Sequence, residues 1–112
     1  MIESYVFGRM VIGGKTYTSD LIIFPDKIQE SWWRKSGHRL CIADVEHVFK
    51  AEPEAFVIGT GFTGLMKVED EVRKKAQSEG ILLIVEKTKK AVQRFNETYS
   101  QKKTVGAFHL TC

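Results

Sequence analysis

The stretch FVIGTGFTGLMKVEDEVRKKAQSEGILLIVE, residues 56–86, places Gly59-x-Gly61-x-x-Gly64 behind an apolar run and closes on Glu86, 27 residues after Gly59. This spacing could serve a dinucleotide. Glycines let backbone amides approach a pyrophosphate, the next helix adds positive potential at its N-terminus, and an acid ending the following strand takes a ribose hydroxyl. Two features oppose that reading. The helix is expected to start near Val68, past the glycines, and only one βαβ half is visible where a dinucleotide spans two. The competing reading is steric: a sharp strand-to-helix turn in which Gly59 and Gly61 are needed for their size.

A ligand at this loop would be framed by Gly59, Thr60, Gly61, Thr88, Trp33, His38 and Asn96. Thr88 is also expected to cap a helix. His38 follows Ser36-Gly37 on a loop, free to act as acid or base near neutral pH. Asn96 interrupts an apolar helical face and must find partners, which suggests a pin from that helix to the loop after strand 55–59. His109 is expected to be partly buried and hydrogen-bonded. Trp32 and Trp33 stand beside charges. One should pack on a sheet with its N–H satisfied, and both are candidates for a protein interface.

Other chemistries find no pattern. His38-x-x-Cys41 supplies two metal ligands where a structural site needs three or four, so no metal is expected. There is no Ser–His–Asp order and no P-loop lysine, and no catalytic residue or cofactor is assigned.

The elements that would position these residues form one domain, 1–112. The chain is 43% hydrophobic and 11% aromatic, enough for a core. Net charge is +3; Lys87, Lys89, Lys90, Arg94, Lys102 and Lys103 cluster, but Glu86 and Glu97 interrupt them without aromatic–basic alternation, so nucleic acid is not an expected partner. With two cysteines, no visible leader and no apolar run long enough for a membrane span, the expected setting is cytoplasmic, with Cys41 and Cys112 free.

Residues 3–12 and 15–24 read as a hairpin turned at Gly13-Gly14, with Gly8 a bulge or close approach. Residues 26–42 read as a short strand and a loop. Asp44 is expected to cap a helix that stops before Pro53. AFVIG (55–59) reads as a buried strand, 68–79 as a helix with Leu65, Val68, Val72 and Ala76 as its apolar stripe, and ILLIVE (81–86) as a central strand. A third helix from Thr88 should face Ala91, Val92, Phe95 and Tyr99 inward, before a last strand over 104–110. The order implies an α/β fold: a three-layer domain whose mixed sheet has an N-terminal antiparallel hairpin and a C-terminal βαβαβ part.

Asp20, Ser31-Trp32-Trp33-Arg34 with Gly37-His38, Val57-Ile58-Gly59-Thr60-Gly61, Thr88-x-x-Ala91-Val92-x-x-Phe95-Asn96 and Val105-Gly106-Ala107-Phe108-His109-x-Thr111-Cys112 together carry a resemblance over almost the whole chain. They resemble a family of small α/β domains that includes the adipogenesis-associated domain protein of vertebrates and, more distantly, a mitochondrial complex I assembly factor. The closing Phe-His-x-Thr-Cys looks most like the former. The resemblance implies a mixed-sheet α/β domain and an assembly or regulatory role rather than turnover; it supplies no catalytic residue or cofactor. The expected function is a non-enzymatic protein-contact module, with a protein partner or a second copy of the chain on Trp32 and Trp33. The alternative is a small-molecule, nucleotide or anion binder, or an enzyme acting on such a molecule, at Gly59–Gly64.

Overall fold

The first seventeen residues close on themselves as a meander. In the computed structural model, which describes residues 1–112, β1 (Ile2–Val6), β2 (Arg9–Ile12) and β3 (Lys15–Tyr17) pair antiparallel in that order. The expected strand over 3–12 is therefore two strands: Phe7 and Gly8 make a turn, with Gly8 at φ +77°, and the Gly13-Gly14 turn follows. The expected return strand over 15–24 also divides. After Tyr17 the chain leaves the meander and enters a second sheet as β4 (Leu21–Ile23). A run of apolar residues does not reveal such a crossing, because both sheets bury the same residue types.

The second sheet has the order β5-β4-β10-β7-β9, with β5 at Ile28–Gln29, β7 at Ala55–Gly59, β9 at Leu82–Glu86 and β10 at Thr104–Phe108. β10, β7 and β9 are parallel, and β4 and β5 are antiparallel additions on the other side. Helix α2 (Asp70–Ser78) joins β7 to β9 and α3 (Thr88–Thr98) joins β9 to β10, which completes the expected βαβαβ part. α1 (Ile42–Lys50) precedes β7, and β6 (Arg39–Leu40) pairs in parallel with β8 (Lys67–Val68) in the intervening loops.

Strand alternation sorts the core into two halves. Ile22, Phe56, Ile58, Val105 and Ala107 face Val45, Val48 and Phe49 of α1 and Val72 and Ala76 of α2. On the opposite face, Leu21, Ile23, Val57, Ile84 and Phe108 pack on Ala91 and Phe95 of α3 and on Ile2, Met10, Ile12 and Tyr17 of the meander. The result is a single α/β domain of three layers, in which α3 and the meander share one outer layer.

The 81–86 strand lies at the sheet edge, not at its centre, and Leu82 is 46% exposed. The centre is β10, buried at all five residues. Its sequence, TVGAF, reads weakly because Gly106 is small. That smallness makes room: a Cβ there would stand 2.6 Å from Phe108 and 2.7 Å from Phe95. Helix starts also move. Cys41, not Asp44, caps α1; the Asp44 carboxylate reaches back to accept from the Cys41 N–H at 3.0 Å and thiol at 3.3 Å. Thr88 is the first residue of α3 and Lys87 its cap. Tyr99 is exposed and stacks on Phe95, and Leu65 lies exposed in the loop ahead of α2.

Candidate functional site

Beyond β7 the backbone threads between the start of α3 and the chain's final residues. A Cβ at Gly59 would stand 2.8 Å from Thr88 Oγ1 and 2.9 Å from Phe108. At Gly61, whose φ of +108° suits glycine alone, it would stand 2.5 Å from the Cys112 carbonyl oxygen and 2.8 Å from the His109 ring. The amides of this loop already donate inward. Thr60 N–H donates to Glu86 O, Gly61 N–H to Thr88 Oγ1 at 2.8 Å, Phe62 N–H to Thr111 O at 2.7 Å, Leu65 N–H to Cys112 O and Met66 N–H to Thr60 O. Thr88 Oγ1 in turn donates to His109 O at 2.7 Å. Only Thr63 and Gly64 in this loop keep unpaired N–H groups. The first turn of α2 carries Asp70 and Glu71 behind a Glu69 cap, so its positive end is already answered by acids. The glycine loop is thus a seat for residues 109–112.

A second constellation lies where β4 begins and β10 ends. Asp20 Oδ2 accepts from Arg34 Nη2 at 2.8 Å and from His109 Nδ1 at 2.7 Å, and Oδ1 accepts from Leu110 N–H at 2.7 Å. Arg34 Nη2 also stands 3.1 Å from Nδ1, but the shorter contact is to the carboxylate, the strongest acceptor within reach, so the His109 proton sits on Nδ1 and Nε2 is left as an acceptor. Burial alone would raise the Asp20 pKa; the bonds from His109, Leu110 and Arg34 outweigh it and hold the carboxyl below its ordinary value. Tyr5 Oη donates to Leu110 O at 2.8 Å, and burial, with a smaller contribution from Asp20, pushes that phenol up to about 12. The Arg34 guanidinium lies over the Trp32 ring at 4.8 Å. Asp20, Trp32, Arg34 and His109 border a cleft of about 480 Å³ that Thr18, Ser19, Ser31, Trp33 and Thr111 also line.

A third feature is a surface. Phe7 and Phe62, 55% and 49% exposed, meet edge-on at 5.8 Å between centroids. Both loop tips hang on the C-terminal segment, through Gly8 N–H to Leu110 O and Phe62 N–H to Thr111 O. Beside Phe62 a shallow depression is lined by Lys87, Lys89, Lys90 and Gln93, and none of the three lysines has an acidic partner.

The structure brings Gly59, Thr60, Gly61 and Thr88 together as the seat. Trp33 belongs instead to the cleft, 84% exposed. His38 is on an exposed loop with its ring 6.4 Å from that of His109. Asn96 turns away from the loop after β7: Oδ1 accepts from Ile2 N–H at 2.9 Å and Nδ2 donates to Ile2 O at 2.8 Å, which pins α3 to β1. Trp32 is core, 3% exposed, with Nε1 donating to Asp44 O, so of the two tryptophans only Trp33 is exposed. Sequence reasoning expected His109 to be buried and hydrogen-bonded, as it is, but missed its partners Asp20 and Arg34. The one available signal was an acid placed between two apolar strands; nothing local links positions so distant along the chain. No group of three His, Cys, Asp or Glu residues is arranged to hold a metal, and no helix is long and apolar enough to cross a membrane.

Over residues 2–110 the chain matches the family described as "Protein of unknown function (DUF498/DUF598)". Its fold is similar to that of the conserved hypothetical protein PH1505 from Pyrococcus horikoshii OT3, with a TM-score of 0.85 at 24% identity over 100% of this chain and 99% of that one. It is also similar to a protein named MT938, with a TM-score of 0.83 at 22% identity over 100% and 98% of the two chains. A third likeness is to Xanthomonas campestris XCC1710, with a TM-score of 0.81 at 17% identity over 98% and 83%. At these identities the likeness concerns the fold.

Proposed function

We propose, from the premise that the chain belongs to the DUF498/DUF598 family, that it is a non-enzymatic cytoplasmic module whose Phe7–Phe62 surface receives an acidic segment of a partner protein. The observation that carries this reading is the exposed aromatic pair beside three lysines without counter-charges. Aromatic rings in contact at a surface supply apolar area at little entropic cost, and unpaired lysines steer and select an acidic partner. The loop tips that carry the rings are held by main-chain bonds to residues 110 and 111, so little backbone ordering remains to be done on binding. The free thiols of Cys41 and Cys112 suit a reducing compartment. Nucleotide binding at Gly59–Gly64 finds less support, since the amides of Thr60, Gly61 and Phe62 already have acceptors.

The test uses a photo-crosslinking residue in place of Phe62, with the labelled segment identified by mass spectrometry. The reading expects an acidic peptide with an apolar anchor. Labelling should fall about tenfold in the Lys87→Glu/Lys89→Glu/Lys90→Glu variant and weaken as salt rises. Capture of a neutral or basic segment, of a second copy of this chain or of lipid, or capture indifferent to charge reversal, would contradict it.

A further inference from the structure

The cleft above Asp20 is independent of the Phe7–Phe62 surface. We propose that it binds a small oxyanion, a carboxylate or a phosphate, held by Arg34 and the hydroxyls that line the cleft, with Asp20 as the positioning residue.

Three observations converge on this. The Arg34 side chain is 5% exposed, its Nη2 is committed to Asp20 at 2.8 Å and to Gly37 O at 3.2 Å, yet Nε and Nη1 have no acceptor. The His109 side chain is 7% exposed, and with Nδ1 donating to Asp20 its ring helps to fix that carboxylate, while its Nε2 is an acceptor without a donor. Folded proteins leave few buried donors without an acceptor, and Arg34 has two. A guanidinium oriented by one carboxylate with two N–H groups to spare is a preorganised set of donors rather than a simple ion pair.

The cavity is the second observation. Its volume of about 480 Å³ fits a small ligand. Its lining offers the hydroxyls of Thr18, Ser19, Ser31 and Thr111 and the indole of Trp33, and its single carboxylate, Asp20, is already engaged. Hydroxyls and guanidinium donors surround an oxyanion well, and an exposed indole can cover an attached organic group.

The third is strain. Ser31 lines the same cleft at φ +52°, and its N–H is fixed by Ser19 Oγ at 3.1 Å. A left-handed serine is strained and persists where surrounding structure demands it. Its neighbour Trp32 is anchored by donation to Asp20 O at 2.9 Å, so the strained turn and the ion cluster share one frame.

Asp20 and Arg34 cancel in charge. Selectivity then rests on directed hydrogen bonds, and a guanidinium is not replaceable by an ammonium.

The experiment is an NMR titration of the full chain with inorganic phosphate and, separately, with acetate, against sodium chloride at matched ionic strength. We expect saturable shifts of the Arg34 Nε–H, the His109 ring and the Trp33 indole with at least one of the two anions, and the stronger of them identifies the oxyanion class. Arg34→Lys should weaken that binding about tenfold, while Lys87→Glu should leave it unchanged. The wild-type titration decides the matter even where Arg34→Lys does not fold. Shifts that stay linear, that chloride reproduces, or that map to the basic pocket of Lys27, Lys50 and Lys103 would overturn the proposal.

Discussion

Gly61→Ala should destabilise the fold by roughly 3 kcal/mol or more, without any ligand present. The new methyl group would meet the carbonyl group of Cys112, which is backbone, and the edge of the His109 ring. Neither yields by a rotamer change, so residues 109–112 must lift from their seat and forfeit the bonds from Phe62 and Leu65. The residue must also hold φ at +108°, outside the ordinary left-handed basin. Gly64→Ala is the internal comparison. Its φ is +80°, but its nearest neighbour is the flexible Lys87 side chain, so only the backbone cost of about 1–2 kcal/mol applies. Urea unfolding of the two variants measures the difference. A loop shaped for a cofactor would reverse the order of consequences: Gly61→Ala would impair ligand binding and spare the stability of the unliganded protein.

Asp20→Ala should cost about 3–5 kcal/mol, because it leaves the Arg34 guanidinium buried without its counter-charge. It also removes the acceptors of His109 Nδ1 and Leu110 N–H, which anchor the end of β10. Replacing both partners by apolar residues of similar shape, Asp20→Leu with Arg34→Met, should recover part of that loss. The pH dependence follows from the depressed Asp20 pKa. Below the ordinary carboxyl range the unfolded chain takes up this proton before the folded one does. The contribution is therefore complete above about pH 4 and disappears as pH falls through the lower folded value. Chemical unfolding between neutral and acid pH checks this: wild type should lose stability more steeply than Asp20→Asn.

The architecture was legible where period and punctuation agree. AFVIG, the 70–78 helix and the alternation of strand and helix behind it declare themselves, and right-handed crossover then dictates parallel pairing. Sheet order was not legible. ILLIVE is the most apolar strand and yet lies at the edge, while the central TVGAF is short of bulk because Phe95 and Phe108 fill the space over Gly106. Trp32 and Trp33 are adjacent and chemically identical, but one is core and the other is bare, because Trp32 alone stacks on Arg34 and reaches Asp44 O. The buried ion cluster joins residues from opposite ends of the chain, and no periodicity connects them. Gly59 and Gly61 illustrate how a familiar spacing misleads. The same small side chains that would admit a pyrophosphate here admit Thr88 and the chain's own C-terminal carbonyls.

Amide hydrogen exchange at Gly61, Phe62 and Leu65, read with and without added NAD or ATP, tests that assignment most directly. Each amide has an acceptor within the protein, so all three should exchange slowly in the protein alone and respond to neither nucleotide. Rapid exchange that slows only on nucleotide addition would mean that these donors await a phosphate, and the seat would have to be read as a cradle.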